Sequence, residues 1–186
     1  MTAPNQATQP QRVFLTGEPS SGKTTVLKRT AELLEVHGFK VGGMVTQETR
    51  EKGVRRGFSI ENFATHEEGV LAGTGSNDGP RVGRYNVNLH DLDEVGAAAI
   101  RAAIEDADVV LIDELGPMEL HSHRFIESVE AALSSKRDLV GTIHKRTNHP
   151  LVRGVKSNPA YTILEVTPEN RDQLPAQIVE RITRRN

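Results

Sequence analysis

Apolar positions along this chain recur in two periods, and their succession lays out the elements. Val13-Phe14-Leu15-Thr16 is a short apolar run that predicts a buried strand. Thr25 to Leu34 carries apolar residues at helical spacing and is closed by Gly38 after His37. Residues 39–48 predict a second strand, Thr49 to Gly53 a charged turn, and residues 54–61 a strand returning antiparallel. Two more strands are expected at 67–73 and 82–88, separated by a stretch from Gly73 to Pro80 whose turn chemistry predicts mobility. Asp91 is placed to cap a helix to about residue 105, with Leu92, Val95, Ala98, Ala99, Ala102 and Ala103 on its apolar face. A buried strand at 108–112, an amphipathic helix from His123 to Ser134 and a buried strand from Asp138 to His144 follow. Residues 145–159 read as a basic, Pro-containing loop, and Tyr161 to Val166 as the last strand. Thr167 as N-cap with Pro168 in first position predicts the start of the final helix.

Apolar strands alternating with helices place the chain in the α/β class, with a mostly parallel sheet flanked by helices. Residues 40–90 read as an antiparallel β elaboration inserted between α/β units. The 186 residues suffice for one domain with a real core. That domain is expected over 12–186, with residues 1–11, polar throughout, as a disordered lead. The formal charge of −2 argues against a general nucleic-acid or membrane-binding surface. No apolar stretch approaches membrane-spanning length, and the start lacks the apolar core of a signal peptide. Without cysteine there is no disulfide and no thiolate metal site, which fits a reducing cytosol. A cytoplasmic monomer is expected. With five Phe, two Tyr and no Trp, few rings are available to grip a nucleotide base.

The chemistry concentrates in two segments. Gly17-Glu18-Pro19-Ser20-Ser21-Gly22-Lys23-Thr24 fits the phosphate-binding pattern G-x-x-x-x-G-K-[ST], between a predicted strand and a predicted helix as that pattern requires. Such a loop turns successive backbone N–H groups toward a polyphosphate, and the helix N-terminus adds its positive end. Lys23 would reach the β- and γ-phosphates, and Thr24 would offer its hydroxyl to Mg²⁺. The second segment, Val109-Val110-Leu111-Ile112-Asp113-Glu114, is four apolar residues ending in an acid, the Walker B pattern. Asp113 would hold Mg²⁺ there. Glu114 is placed either to activate the attacking water or to make a structural salt bridge, and Glu119 reads as structural. Thr142 and His144 end the strand after Walker B, as γ-phosphate sensors or as a solvated strand end. Arg146 and Arg153 lie in the basic loop, as a lid supplying transition-state charge or as surface charge. Glu48, Arg50, Arg55 and Arg56 flank the early hairpin turn and could line the mouth of the site.

Several stretches occur together in order: the P-loop ending Gly-Lys-Thr-Thr, Gly42 to Glu48, Val54 to Phe58, Val82 to Val87, Asp113-Glu114-Leu115-Gly116-Pro117-Met118-Glu119-Leu120, and Glu165 to Asp172. In this the chain resembles the family of small P-loop nucleoside-triphosphatases, which includes enzymes of thermophiles and a human cancer-related nucleoside-triphosphatase. The resemblance runs from about residue 12 to the C-terminus. It implies a RecA-like single domain and Mg²⁺-dependent hydrolysis of ATP, GTP, CTP and UTP to the diphosphate and phosphate, with loose base preference. It also implies nucleotide contacts from residues Gly17, Glu18, Pro19, Ser20, Ser21, Gly22, Lys23, Thr24 and Thr25, and from Val109, Val110, Leu111, Ile112, Asp113, Glu114, Leu115 and Gly116. Two positions depart from the family pattern. Ser20 stands where Gly is common, so a Cβ is expected to tighten the loop and slow turnover while binding survives. His144 stands where relatives are apolar or Pro-containing, so the family lends its sensor role no support. A nucleotide or small-molecule kinase, with the basic loop as lid, and a slow nucleotide-dependent switch remain alternatives.

Overall fold

A computed structural model describes residues 9–75 and 78–184. Five strands form its parallel centre: β1 (Arg12–Thr16), β2 (Val41–Glu51), β7 (Val109–Leu115), β8 (Asp138–Ile143) and β9 (Thr162–Glu165). An antiparallel flank joins at β2: β3 (Val54–Asn62), β4 (Glu68–Gly73), β5 (Arg81–Val82) and β6 (Tyr85–Val87). The order across the sheet is β5-β6-β4-β3-β2-β7-β8-β1-β9. The chain thus has a mixed nine-stranded sheet with the expected antiparallel elaboration, and β8 stands between the P-loop strand and the Walker B strand in the RecA-like manner.

Buried parallel strands carry apolar residues on both faces, and alternate residues go to opposite layers. Val13, Leu15, Val109, Leu111 and Val140 pack under helices α1 (Lys23–Val36) and α6 (Leu174–Thr183) with Leu27, Leu34 and Ile178. Phe14, Val110, Ile112 and Leu139 face the other layer, with Ile100, Phe125 and Val152. That layer comprises the short α2 (Leu89–Asp91), a π-helical stretch Leu92–Ala97, α3 (Ala98–Asp106), α4 (His123–Ser134) and α5 (Pro150–Ser157).

Several boundaries differ from the pattern reading, each for a local reason. Asn88 caps the helical segment after β6, accepting from the Asp91 amide at 3.1 Å. The Asp91 carboxylate instead accepts from the Val70 amide at 2.7 Å and ties the helix to β4. Residues 82–88 are not one strand, because Gly83 at φ 59 turns the chain between β5 and β6. The basic segment 145–159 is largely helical: His149 caps α5 by accepting from the Leu151 amide, and Val152 and Val155 are buried beneath the exposed charges. The final helix starts at Leu174, because the Asn170 side chain accepts from the Thr167 amide at 2.8 Å and holds 167–173 as turns. Gln11, expected in the lead, is tied to the sheet: its amide donates to Asp138 at 2.6 Å and its carbonyl accepts from the Leu139 amide. Residues 1–8 of the lead, and Ser76 and Asn77 of the turn-rich stretch, lie outside the described residues.

Close approach of β2 to β7 depends on Gly43. It adopts φ +120, and a Cβ there would lie 2.1 Å from the Leu111 carbonyl oxygen. Gly43→Ala must therefore part β2 from β7 or reshape the backbone. Unfolding in urea should show a loss of about 3 kcal/mol or more, the scale of the severe steric class. An unchanged midpoint would contradict this reading of the β2–β7 contact.

Candidate active site

All five parallel strands end at one edge of the sheet, and ligands of open α/β sheets gather there. The P-loop leaves β1 at that edge and enters α1 through Gly22, which takes φ +104 at the helix start. The strand alternation that sends Leu111 and Val140 under α1 sends Asp113 and Thr142 the same way two residues on. Thr24, in the first turn of α1, meets them. Its hydroxyl donates to Asp113 Oδ2 at 2.8 Å. The Thr142 hydroxyl donates to Asp113 Oδ1 at 2.6 Å. Thr46 in β2 donates to Asp113 Oδ2 through its hydroxyl at 3.0 Å and its amide at 3.3 Å. Asp113 is 1% exposed, so these bonds replace the water its carboxylate has lost.

Glu114 points elsewhere. Its Oε2 lies 3.9 Å from Lys23 Nζ, which also leans on the carbonyls of Gly17 at 3.4 Å and Glu18 at 3.5 Å. Burial pushes the Glu114 carboxyl up to about 7; the Lys23 charge opposes this and the Asp113 charge adds to it. Behind it Glu119 is buried, and burial holds its carboxyl well above the usual range, with the Glu114 charge adding to that. The site therefore brings together the hydroxyl-bound Asp113 carboxyl, the Lys23 amine and a Glu114 carboxyl pushed up to about 7.

The family described as NTPase matches residues 12–179. The chain belongs to it. It is 47% identical to the nucleoside-triphosphatase THEP1 of Thermofilum pendens over 91% of this chain and 93% of that one. It is 43% identical to that of Methanosarcina acetivorans, over 94% and 98%. Among solved structures it is similar to THEP1 from the hyperthermophile Aquifex aeolicus, with TM-score 0.81, 31% identity, and 93% and 99% of the chains covered. It is likewise similar to a human cancer-related nucleoside triphosphatase, with TM-score 0.79, 32% identity, and 95% and 99% covered.

On this NTPase fold the expected site residues separate. Val109, Val110, Leu111 and Ile112, expected among the nucleotide contacts, are fully buried and pair with β2 and β8. Leu115 is equally buried, in the layer opposite α1, and Gly116 sits against Glu114 and Glu119. That segment reaches the edge through Asp113 and Glu114. Lys145 bonds Glu18 of the P-loop at 2.9 Å and Glu165 at 2.9 Å, while Arg146 lies 3.6 Å from Glu18. Arg153 is on α5 and donates to the Asn148 side chain at 3.0 Å, not to the loop. His144 bonds Thr147 at 2.9 Å; burial, then Lys23, Lys156 and Arg146, hold its ring below the usual histidine range and so neutral. Glu48 is bound by Arg55 at 2.5 Å and Arg50 at 2.9 Å and is taken up by the hairpin. Ser20 adopts φ 63, the left-handed region, at a cost of about 1–2 kcal/mol for a residue with a Cβ. Sequence reasoning missed Thr46, whose only signal was a hydroxyl near the end of a strand. It also missed Arg171, which lies over Gly22 from a turn that pattern had assigned to helix.

The raised Glu114 carboxyl has a consequence for stability. The folded chain keeps a proton there that the unfolded chain releases near pH 4.5. This contribution is complete below that pH and is lost as pH rises through about 7. Without nucleotide, Glu114→Gln should therefore gain in melting temperature on the parent between these values. A difference between the two melting curves that is flat with pH would contradict the burial account.

Proposed function

We propose that the chain hydrolyses nucleoside triphosphates to the diphosphate and phosphate, with Mg²⁺, and with little discrimination among bases. The observation that carries this is Glu114: a mostly buried carboxyl near pKa 7, next to an Asp113 already committed to three hydroxyls, and 3.9 Å from the P-loop lysine. A base poised near the working pH, separate from the anion that would hold the metal, suits water activation. Kinship with proteins named nucleoside-triphosphatase THEP1 supports the same reading.

Thr24 and Asp113 fit Mg²⁺. Their oxygens are hard donors side by side, and Mg²⁺ takes one or two protein ligands plus phosphate and water. No cluster of three or more His, Asp or Glu that would form a protein-only cage exists among the described residues. When bound, the ion would neutralise charge developing on the β- and γ-phosphates. The loop amides from Gly17 to Thr24 would cradle the phosphates, and Lys23 would neutralise and orient them. Glu114 would take the proton from the water. Thr142 and Thr46 would keep the Asp113 carboxylate aimed, and Arg146 would bring charge to the γ-phosphate if its contact with Glu18 opens. No helix among the described residues is long and apolar enough to cross a membrane.

Glu114→Gln keeps shape and removes the base. Phosphate release from MgATP should fall about 10²–10⁴-fold with nucleotide affinity nearly unchanged. Lys23→Ala should weaken affinity for all four NTPs. Near-parent turnover in Glu114→Gln would place the base elsewhere, and lost binding in that variant would make Glu114 a metal or folding residue.

A further inference from the structure

A cavity of about 220 Å³ opens beside the P-loop, bounded by Gly22, Val26 and Arg29 of the loop and α1, and by Arg171, Asp172 and Pro175 before and in α6. That is smaller than the ≈300–1,000 Å³ of a complete small-molecule site, and is the size of a subsite that continues one. We infer that it receives the base of the nucleotide, with the guanidinium groups of Arg171 and Arg29 laid against the heterocycle. This rests on the proposal that the P-loop binds nucleoside triphosphates.

The topology sets the direction. Asp113 and Glu114 end β7, which lies on the far side of β8 from β1, whereas the Arg171 turn follows β9 on the opposite side of β1. A triphosphate running along the loop with its γ end at Asp113 directs its nucleoside toward the β9 edge, where the cavity is. Arg171 reaches the loop: its Cδ lies 3.5 Å from where a Cβ on Gly22 would sit.

The lining argues for a planar, neutral group and not for another phosphate. Val26 and Pro175 are buried apolar residues, and Asp172 sets a negative charge at the rim that an anion would meet. Among the described residues neither Arg29, Arg171 nor Asp172 makes a side-chain hydrogen bond or ion pair, unlike Lys145 and Arg146, which are held by Glu18. Two uncommitted guanidinium planes over an apolar floor offer what aromatic rings supply elsewhere. Arg stacks on heterocycle faces, and stacking is tolerant because every base has a π-face. This gives base tolerance a physical origin in a chain with few rings.

The test compares ligands with and without a base. Dissociation constants would be measured in Mg²⁺ for the β,γ-imido analogues of ATP, GTP, CTP and UTP and for inorganic tripolyphosphate. Arg171→Ala should weaken all four nucleotides about 2–30-fold, purines most, and leave tripolyphosphate unchanged. Arg29→Ala should act in the same direction, and both residues are exposed, so neither change threatens folding. Equal weakening of tripolyphosphate would make Arg171 a phosphate contact and overturn the inference, as would unchanged nucleotide affinities in both variants. If the parent binds neither nucleotide nor tripolyphosphate, the underlying P-loop proposal fails as well.

Discussion

One buried carboxylate organises this molecule's working edge. Asp113 is almost wholly removed from water, and three threonine hydroxyls and an amide stand in for the lost hydration. Those donors come from α1, β8 and β2, elements remote in sequence, so the anion fastens the P-loop helix to the centre of the sheet. A buried anion left without such partners would cost several kcal/mol, and this sets the side chains that α1, β2 and β8 present there. The same arrangement leaves Asp113 with its oxygens already beside Thr24, where a hard cation would need them.

With Asp113 committed, the adjoining carboxyl is free for another task. Glu114 is only partly buried and lacks the hydroxyl partners, and burial raises it toward neutrality while Lys23 only partly opposes that. Two neighbouring acids thus sit in different surroundings: one is enclosed by hydroxyl donors, and the other is pushed up to about 7 by burial. The basic residues sort similarly. Lys145 and Arg146 are drawn to Glu18 and border the loop, while Arg29 and Arg171, at its other end, have no side-chain hydrogen-bond or ion-pair partner among the described residues.

Much of this was legible in the chain because its signals are local. The glycine loop between an apolar run and a helix, and four apolar residues before Asp113, need no long-range information. The unbroken apolar run from Val109 to Ile112 announced a strand buried on both faces, and all four side chains are fully buried. What pattern could not show depends on strand order. Thr46 and Asp113 are neighbours only because β2 lies against β7, and Arg171 meets Gly22 only because β9 follows β1 at the edge. Helix α5 was hidden by its surface, since Val152 and Val155 are its only buried residues among exposed basic ones. The delayed start of α6 turns on a single side-chain bond from Asn170 that outweighs the capping signal at Thr167.

The central claim is that Glu114 directs water, and no other acceptor, onto the γ-phosphorus of a nucleotide held by the P-loop. Turnover of MgATP in oxygen-18 water, without any added acceptor, measures this directly. The account predicts that the released phosphate carries one labelled oxygen and the diphosphate carries none. Label in the diphosphate, or no phosphate release until a phosphoryl acceptor is added, would contradict it.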